Sequence, residues 1–298
     1  VSVCTGCGLA PPLAAMASET KSTKKGGIKV GQYVWSDQTF IHVLPDPNTI
    51  GKIFRTDMSI VADSENFLEQ LSNSESKNIS HERNEWVTLC HQRYVNNDAT
   101  QPAKNANDGL DFAHLIDALG ELAPEDSVIT NDAGNFTSWM HHRFPFRSSM
   151  TLIGSEIGAM GMGIPAGVAA ALRFPDRQVF SIVGDGGALM TGSELATAVA
   201  QNAKIRVIIA NNQHYGTIRY HQEVHFPTRD HYATNLVNPD FAKYGESFGL
   251  KCFTIEKVEE VSPAIQAAME VNGPSLIEFK MSLELNTSTT TISQLQMN

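Results

Sequence analysis

Cysteine is scarce in this sequence, with four among 298 residues: Cys4, Cys7, Cys90 and Cys252. So few in a chain of this length cannot form a disulfide framework, and the usage fits a reducing compartment. Only Cys4-Thr-Gly-Cys7 has motif spacing. No second pair follows and no thioredoxin-like unit surrounds it, so it reads as two small residues near a strand end rather than a redox pair or half a zinc site. Long apolar runs are also missing. None approaches the roughly 18 residues that would span a bilayer, and the N-terminus lacks the basic-then-apolar order of a signal peptide. Basic charge is in deficit, 22 Lys and Arg against 32 Asp and Glu for a net charge of -10, so no basic face awaits a phosphate backbone. These absences set aside nucleic acid and membrane as partners and leave a cytoplasmic enzyme as the simplest class. The chain opens on Val1 inside an apolar stretch, "VSVCTGCGLA", and reads as a truncated protein.

What is present is the composition of a folded globular chain, 42% hydrophobic and 18% charged. Residues 28–71 are α/β material: a strand-like "TFIHVLPDP", then "SIVAD" leading into a helix "SENFLEQL" with Ser64 as its cap. A partial α/β domain is therefore expected over 1–78, followed over 79–108 by a polar linker carrying one helix, "HERNEWVTLCHQRY". From 109 to 285 helical and strand patterns alternate, in "FAHLIDALGELA", "SVIT", "GVAAALRF", "QVFSIVG", "SELATAVAQNA" and "IRVIIANN". Such alternation predicts a three-layer α/β/α domain on a mainly parallel sheet. The Thr- and Ser-rich end, 286–298, reads as a tail by composition, with an arm closing over a site as the alternative.

One βαβ unit concentrates the chemistry. Gln178 to Val183 is a buried-strand run, Ser193 caps a helix bearing Leu195 and Val199, and Ile205 to Ala210 is the next buried strand. A right-handed crossover brings both strand ends to one edge of the sheet, where open α/β folds bind ligands. Asp185 follows the first strand and Asn212 the second, so a carboxylate and an amide oxygen reach neighbouring points of one crevice. Both are hard oxygen ligands suited to Mg²⁺, which completes its octahedron with water and substrate phosphates. Gly184, Gly186 and Gly187 permit close backbone approach and offer N–H groups to an anion.

The pattern "GDG", then 24 residues from Gly187 to Ala210, then Asn211-Asn212, closely resembles the thiamine diphosphate signature. Residues 109–285 resemble the diphosphate-binding domain of the acetolactate synthase-like family of thiamine diphosphate enzymes, and 28–71 the end of that family's central domain. The resemblance implies that Asp185, Asn212 and the main-chain carbonyl of His214 hold Mg²⁺, with Gly186, Gly187 and Gly216 along the diphosphate. In "EIGAMGMGIPAG" it implies that the Gly158 carbonyl receives the aminopyrimidine and that Met160 wedges beneath the bent cofactor. In "DAGNFTSW" it gives Asn135 a phosphate oxygen to contact. The family's activating glutamate belongs to a separate pyrimidine-binding domain that no segment here matches. The implied activity is decarboxylation and carboligation of a 2-keto acid, at a site shared between subunits of a homodimer or homotetramer, and this chain alone is expected to be inactive. Arg219-Tyr220 stands where many acetolactate synthases carry Gln-Trp, which leaves other keto-acid decarboxylases, carboligases and acyl-CoA lyases open.

Three rival readings compete. His214, His221, His225 and His231 are dense in imidazole, but their spacings of 7, 4 and 6 match no zinc signature; one or two of them touch substrate in the family's arrangement. His141, His142 and Arg143 read as surface or packing residues. "GMGIPA", Gly161 to Ala166, satisfies a dinucleotide fingerprint with Asp185 some 22 residues beyond Gly163, yet a fingerprint needs a strand running directly into its first glycine. A noncatalytic diphosphate-binding module is the remaining alternative.

Overall fold

The computed structural model describes residues 2–5, 39–52, 56–74, 81–98, 102–104, 106–155, 157–226 and 229–297. The chain divides into two compact units, Val1–Glu85 and Trp86–Asn298. In the first, β1 (Ser2–Thr5), β2 (Phe40–Leu44) and β3 (Met58–Val61) form a parallel sheet in that order. The chain then enters α1 (Ser64–Ser72), whose N-cap position is taken by Asp63, with no side-chain cap bond, rather than by Ser64 as the sequence suggested. α2 (His81–Asp98) is a helix within the stretch expected to carry one, and the division between the units falls within it. Cys7 of the Cys4-Cys7 pair, and residues 28–38, lie outside the described residues.

The second unit is the expected α/β/α arrangement. After the rest of α2 it continues with α3 (Ala113–Leu122), and its first strands are β4 (Val128–Asn131) and β5 (Thr151–Gly154), joined through α4 (Thr137–Arg143). Then come α5 (Gly163–Arg173), β6 (Val179–Gly184), α6 (Asp185–Thr191), α7 (Leu195–Ala200) and β7 (Ile205–Asn211). The unit continues through α8 (Gly216–His225), α9 (Phe241–Phe248), β8 (Lys251–Ile255), α10 (Val261–Glu270) and β9 (Ser275–Lys280). All six strands are parallel, in the order β5-β4-β6-β7-β9-β8. The strands alternate faces but are apolar on both, because helices cover both. Phe180, Ile182, Ile208 and Phe279 pack with α3, α4 and α10, whereas Val179, Val183, Val207 and Leu276 pack with α5, α7 and α9. Each such buried side chain contributes roughly 1.5–3 kcal/mol, so truncation of Ile208 to Ala is expected to cost about 2–5 kcal/mol.

Strand order positions the site. From β4 the chain crosses outward to β5, whereas from β6 it crosses the other way to β7. The loops leaving β4 and β6 therefore diverge and open a crevice at the carboxyl ends of the strands, the switch point at which open α/β sheets take ligands. At the amino end of β7, Arg206 is 1% exposed. Its guanidinium donates to the carbonyls of Gly273 (2.5 Å), Met269 (3.1 Å) and Val271 (3.0 Å) and to Gln178 Oε1 (3.1 Å), so it satisfies carbonyls that the end of α10 leaves without helical partners.

Two local expectations need correction. The glycine-rich stretch does not stay a turn until Ser193: α6 starts at Asp185, a 3₁₀ turn spans Gly192–Glu194, and Ser193 caps nothing. The end of the chain also folds. Ile292 is buried, and α11 (Ile292–Gln296) opens with a reciprocal cap in which Gln294 N–H donates to Thr291 Oγ1 (3.2 Å) and Thr291 N–H to Gln294 Oε1 (2.9 Å). Polar composition pointed to a tail, but here the hydroxyls and amides are spent on local caps and on the site.

Candidate functional site

The register between β6 and β7 pairs Gly184 with Ala210, so the next residues on each strand leave the sheet side by side. Asp185 is buried. Its Oδ1 accepts from the Gly186 N–H (2.8 Å) and its Oδ2 from Asn238 Nδ2 (2.8 Å). Burial lifts its pKa above the ordinary carboxylate range; the hydrogen bonds from Asn238 and from the backbone of Gly186, Gln213 and His214 offset this only in part. None of the described cationic side chains forms a salt bridge with it. Asn211 turns back into the sheet, its Nδ2 donating to Glu278 Oε1 (2.6 Å), whereas Asn212 faces the crevice. Asn212 Oδ1 accepts from the His214 N–H (3.1 Å), and the His214 carbonyl accepts from the Gly216 N–H (2.9 Å). Between them Gln213 stands at φ +59°, a left-handed conformation that costs a side-chain-bearing residue about 1–2 kcal/mol. The Asn211 Oδ1 takes its N–H (3.2 Å) and Leu236 N–H donates to its carbonyl (2.8 Å), which hold it there.

Asp185, Asn212 and His214 line one cleft that opens to solvent, together with Asn135, Met160, Gly184, Gly186, Tyr215, Gly216 and Asn286. A Cβ on Gly186 would stand 2.6 Å from the Tyr215 ring and 3.1 Å from Met160 Cε, and one on Gly216 3.1 Å from Asn212 Nδ2. The walls are thus set by backbone, as an anion cradle requires. Gly187 is not part of the lining: any Cβ there would overlap the Asp132 carboxylate, so it backs the wall instead.

On the β4 side, Asp132 is 1% exposed and accepts from the N–H groups of Gly161 (2.8 Å) and Met162 (3.2 Å). It clasps the turn that carries Met160. Gly158 stands on the exposed part of that turn at φ +68°, outside the cavity lining. Over the mouth, Asn135 Nδ2 donates to Asn286 Oδ1 (2.5 Å), Thr217 Oγ1 to Asn135 Oδ1 (3.0 Å), and Asn286 Nδ2 to the Gly216 carbonyl (3.1 Å). Asn286 is 1% exposed, so the chain's end closes one side of the cavity as the arm, not the tail, of the two alternatives.

The rival motifs fall elsewhere. β5 ends at Gly154 and α5 begins at Gly163, so no strand runs into "GMGIPA". Among the described residues no group of three His, Cys, Asp or Glu side chains converges to hold a metal. His221 and His225 stack on α8 with ring centroids 5.8 Å apart, and His142 Nδ1 meets Ser288 Oγ at 2.7 Å. Asp132, Asn238 and Asn286 escaped the sequence reading. Only Asp132 carried a signal, an acidic residue directly after the strand "VITN".

Residues 132–279 match the family model of the thiamine pyrophosphate enzyme C-terminal TPP binding domain. A thiamine pyrophosphate-containing protein of Bacillus subtilis, YdaP, is 31% identical over 249 residues, 83% of this chain and 42% of its own length. The acetolactate synthase large subunit of Corynebacterium glutamicum is 32% identical over 259 residues, 82% of this chain and 40% of its own length. The chain thus spans about two fifths of these relatives. Among solved structures, the thiamine diphosphate-dependent 4-hydroxybenzoylformate decarboxylase of Rhodococcus jostii superposes with a TM-score of 0.69 at 24% identity, over 84% of this chain and 46% of that one, a likeness of fold.

Proposed function

Because the chain belongs to the thiamine diphosphate enzymes of the acetolactate synthase-like family and carries their C-terminal cofactor-binding domain, we propose that its sheet edge holds thiamine diphosphate through Mg²⁺. In the whole protein this serves decarboxylation and carboligation of a 2-keto acid. One observation carries the reading: a buried carboxylate with no cationic partner among the described residues, Asp185, lines the same cavity as Asn212 and His214. A single carboxylate with neutral oxygens is too little for an all-protein metal cage, but it suits a hard cation that takes its remaining ligands from a diphosphate and water. The residues present therefore fit the group.

The chain's own residues have separable tasks. Asp185, Asn212 and the second lone pair of the His214 carbonyl would hold the cation. Gly184, Gly186, Gly216 and the first turn of α8 would accept the diphosphate, since N–H groups at the start of a ten-residue helix lack helical partners. Asn135, tied to Asn286 and Thr217, closes the phosphate end. Met160 and the Gly158 carbonyl, on the turn clasped by Asp132, would position the aminopyrimidine. When bound, the cofactor supplies a carbanion-stabilising centre for attack on a keto acid. The protein's part is to hold that centre in place, with Asp185 supplying the charge for the cation and Asn135 and Asn286 covering one side of the cleft.

The turn bearing Gly158 leaves Ile157 exposed, and Met190 packs beside it while half exposed, which supports a further apolar surface docking here. We place the working site between subunits of a cytoplasmic homodimer or homotetramer, with the activating glutamate on the partner's pyrimidine-binding domain, so residues 1–298 alone should show no turnover. Calorimetry with thiamine diphosphate, with and without Mg²⁺, tests the site: metal-dependent binding is expected in the parent chain and absent in Asp185→Ala. Equal affinity in the two proteins would refute the assignment. Product analysis of the full-length protein on pyruvate tests the substrate class.

A further inference from the structure

We infer that Asn238 is a positioning residue of the metal site, a neutral clamp that fixes the Asp185 carboxylate for its cation; this rests on the metal–diphosphate reading above. Asn238 Nδ2 has two hydrogens, and both are committed, one to Asp185 Oδ2 (2.8 Å) and one to Asn211 Oδ1 (2.9 Å). Chemistry fixes this orientation, since the flipped amide would set its oxygen against two other oxygens. Asn238 Oδ1 is thereby left buried with no partner, an acceptor available to a metal-bound water.

The clamp is anchored from behind. Lys280 Nζ donates to Glu278 Oε1 (2.6 Å), which also accepts from Asn211 Nδ2 (2.6 Å), so the orientation of Asn211, and through it that of Asn238, is set by a buried carboxylate on β9. The segment that delivers Asn238 is held to the loop it serves: Tyr215 N–H donates to the Thr234 carbonyl (2.8 Å), and His214 and Asn235 form an antiparallel bridge. Immediately beyond, Asp240 caps α9 by accepting from the Lys243 N–H (3.0 Å). Three features converge on one function. An amide donor restrains the rotation of the Asp185 carboxylate, it leaves the full negative charge for the cation as a lysine would not, and its own Oδ1 stays buried with no partner beside that carboxylate.

The test is calorimetry on the full-length protein and on Asn238→Ala and Asn238→Leu, the second keeping the side-chain volume without the donor. Mg²⁺ is titrated at saturating thiamine diphosphate, and thiamine diphosphate at rising Mg²⁺. The expected result is a rise of about 10–100-fold in the apparent Kd for Mg²⁺, with thiamine diphosphate affinity returning to the parent value as Mg²⁺ is raised. Parent-like Mg²⁺ affinity in either folded variant overturns the clamp. So does a loss of thiamine diphosphate affinity that Mg²⁺ cannot restore, which would mark a general collapse of the loop. Should the parent protein itself bind thiamine diphosphate without regard to Mg²⁺, the metal site falls, and the clamp with it.

Discussion

At the amino ends of the strands, Arg206 lies buried with no acidic partner among the described residues, its pKa brought down to about 10 by desolvation, yet its donors meet the carbonyls of Met269, Val271 and Gly273 and the side chain of Gln178. At the carboxyl ends, Asp185 is equally buried, but its surroundings leave the side-chain oxygen of Asn238 without a partner and hold Gln213 in a left-handed conformation. Arg206 and Asp185 each bury a charge at an end of the same sheet. The first charge is consumed by the fold, since its hydrogen bonds finish a helix, whereas the second remains available because none of the described cationic side chains neutralises it. Buried polarity that is satisfied stabilises, and buried polarity left open marks where a ligand completes the structure.

Substitutions at the two ends should therefore separate binding from stability. The largest effect is expected for Asp185→Ala, a loss of at least about 100-fold in Mg²⁺-dependent thiamine diphosphate affinity, beyond what outer-sphere changes produce. Calorimetry should read this while the melting temperature without ligand stays near the parent value. Arg206→Met should do the reverse. Stranding several carbonyls at the end of α10 is expected to cost about 2–4 kcal/mol, or roughly 5–10 °C in melting temperature for a unit of this size, with cofactor affinity of the folded fraction unchanged. A stable Arg206→Met protein, or an Asp185→Ala protein that binds normally, would erase the contrast.

Asp132→Ala probes a residue with something of both ends. Its carboxylate is satisfied by the Gly161 and Met162 N–H groups, so it acts structurally, but the turn it clasps lines the cavity through Met160. Exposing two donors is expected to lower stability by about 1–2 kcal/mol, and the loosened turn to weaken cofactor binding, both measurable on one sample by thermal melts with and without ligand. Loss of stability alone would place Asp132 with Arg206.

Why Asp185 and Asn212 were legible in the sequence, while Asn238, Asp132 and Asn286 were not, follows from what local pattern encodes. A buried parallel strand is an apolar run, and its end is marked by the first polar or glycine residue. Two such runs joined by a helix give the shared edge without any knowledge of packing. The same logic made β4, β6 and β7, the helices α3, α5 and α7 and the two-sided burial readable, whereas the short or half-exposed β5 and β8, and β9, were not read as strands. Asn238 reaches Asp185 across 53 residues, Asp132 reaches Gly161 across 29, and Asn286 reaches Asn135 across 151. Periodicity reports which face a residue is on, not which distant loop comes back to meet it. Asn238-Pro239-Asp240 reads from sequence only as the approach to a helix cap, which Asp240 supplies. The helix at Asp185 was hidden for a related reason: glycines at 186 and 187 suggest a turn, and only the close packing of Tyr215 and Asp132 against them shows why small residues must sit in a helix there.

The smallest expected effect is on pH dependence. Burial raises the Asp185 pKa, so the folded chain takes up a proton at this site more readily than the unfolded chain. Without ligand, this group therefore lowers stability at neutral pH, and the penalty is relieved as the pH falls through its raised pKa. Cation binding needs the ionised form and responds with the opposite sign, so affinity for Mg²⁺ and thiamine diphosphate should fall on acidification through the same window, by up to about tenfold per pH unit. Arg206, with a pKa of about 10, keeps its charge throughout, so the amino end should be silent in that range. Affinity measured across mildly acidic pH should show this slope. A flat profile would mean that Asp185 does not meet the cation as a free carboxylate, and the distinction between an open and a satisfied charge would have to be sought elsewhere on the sheet.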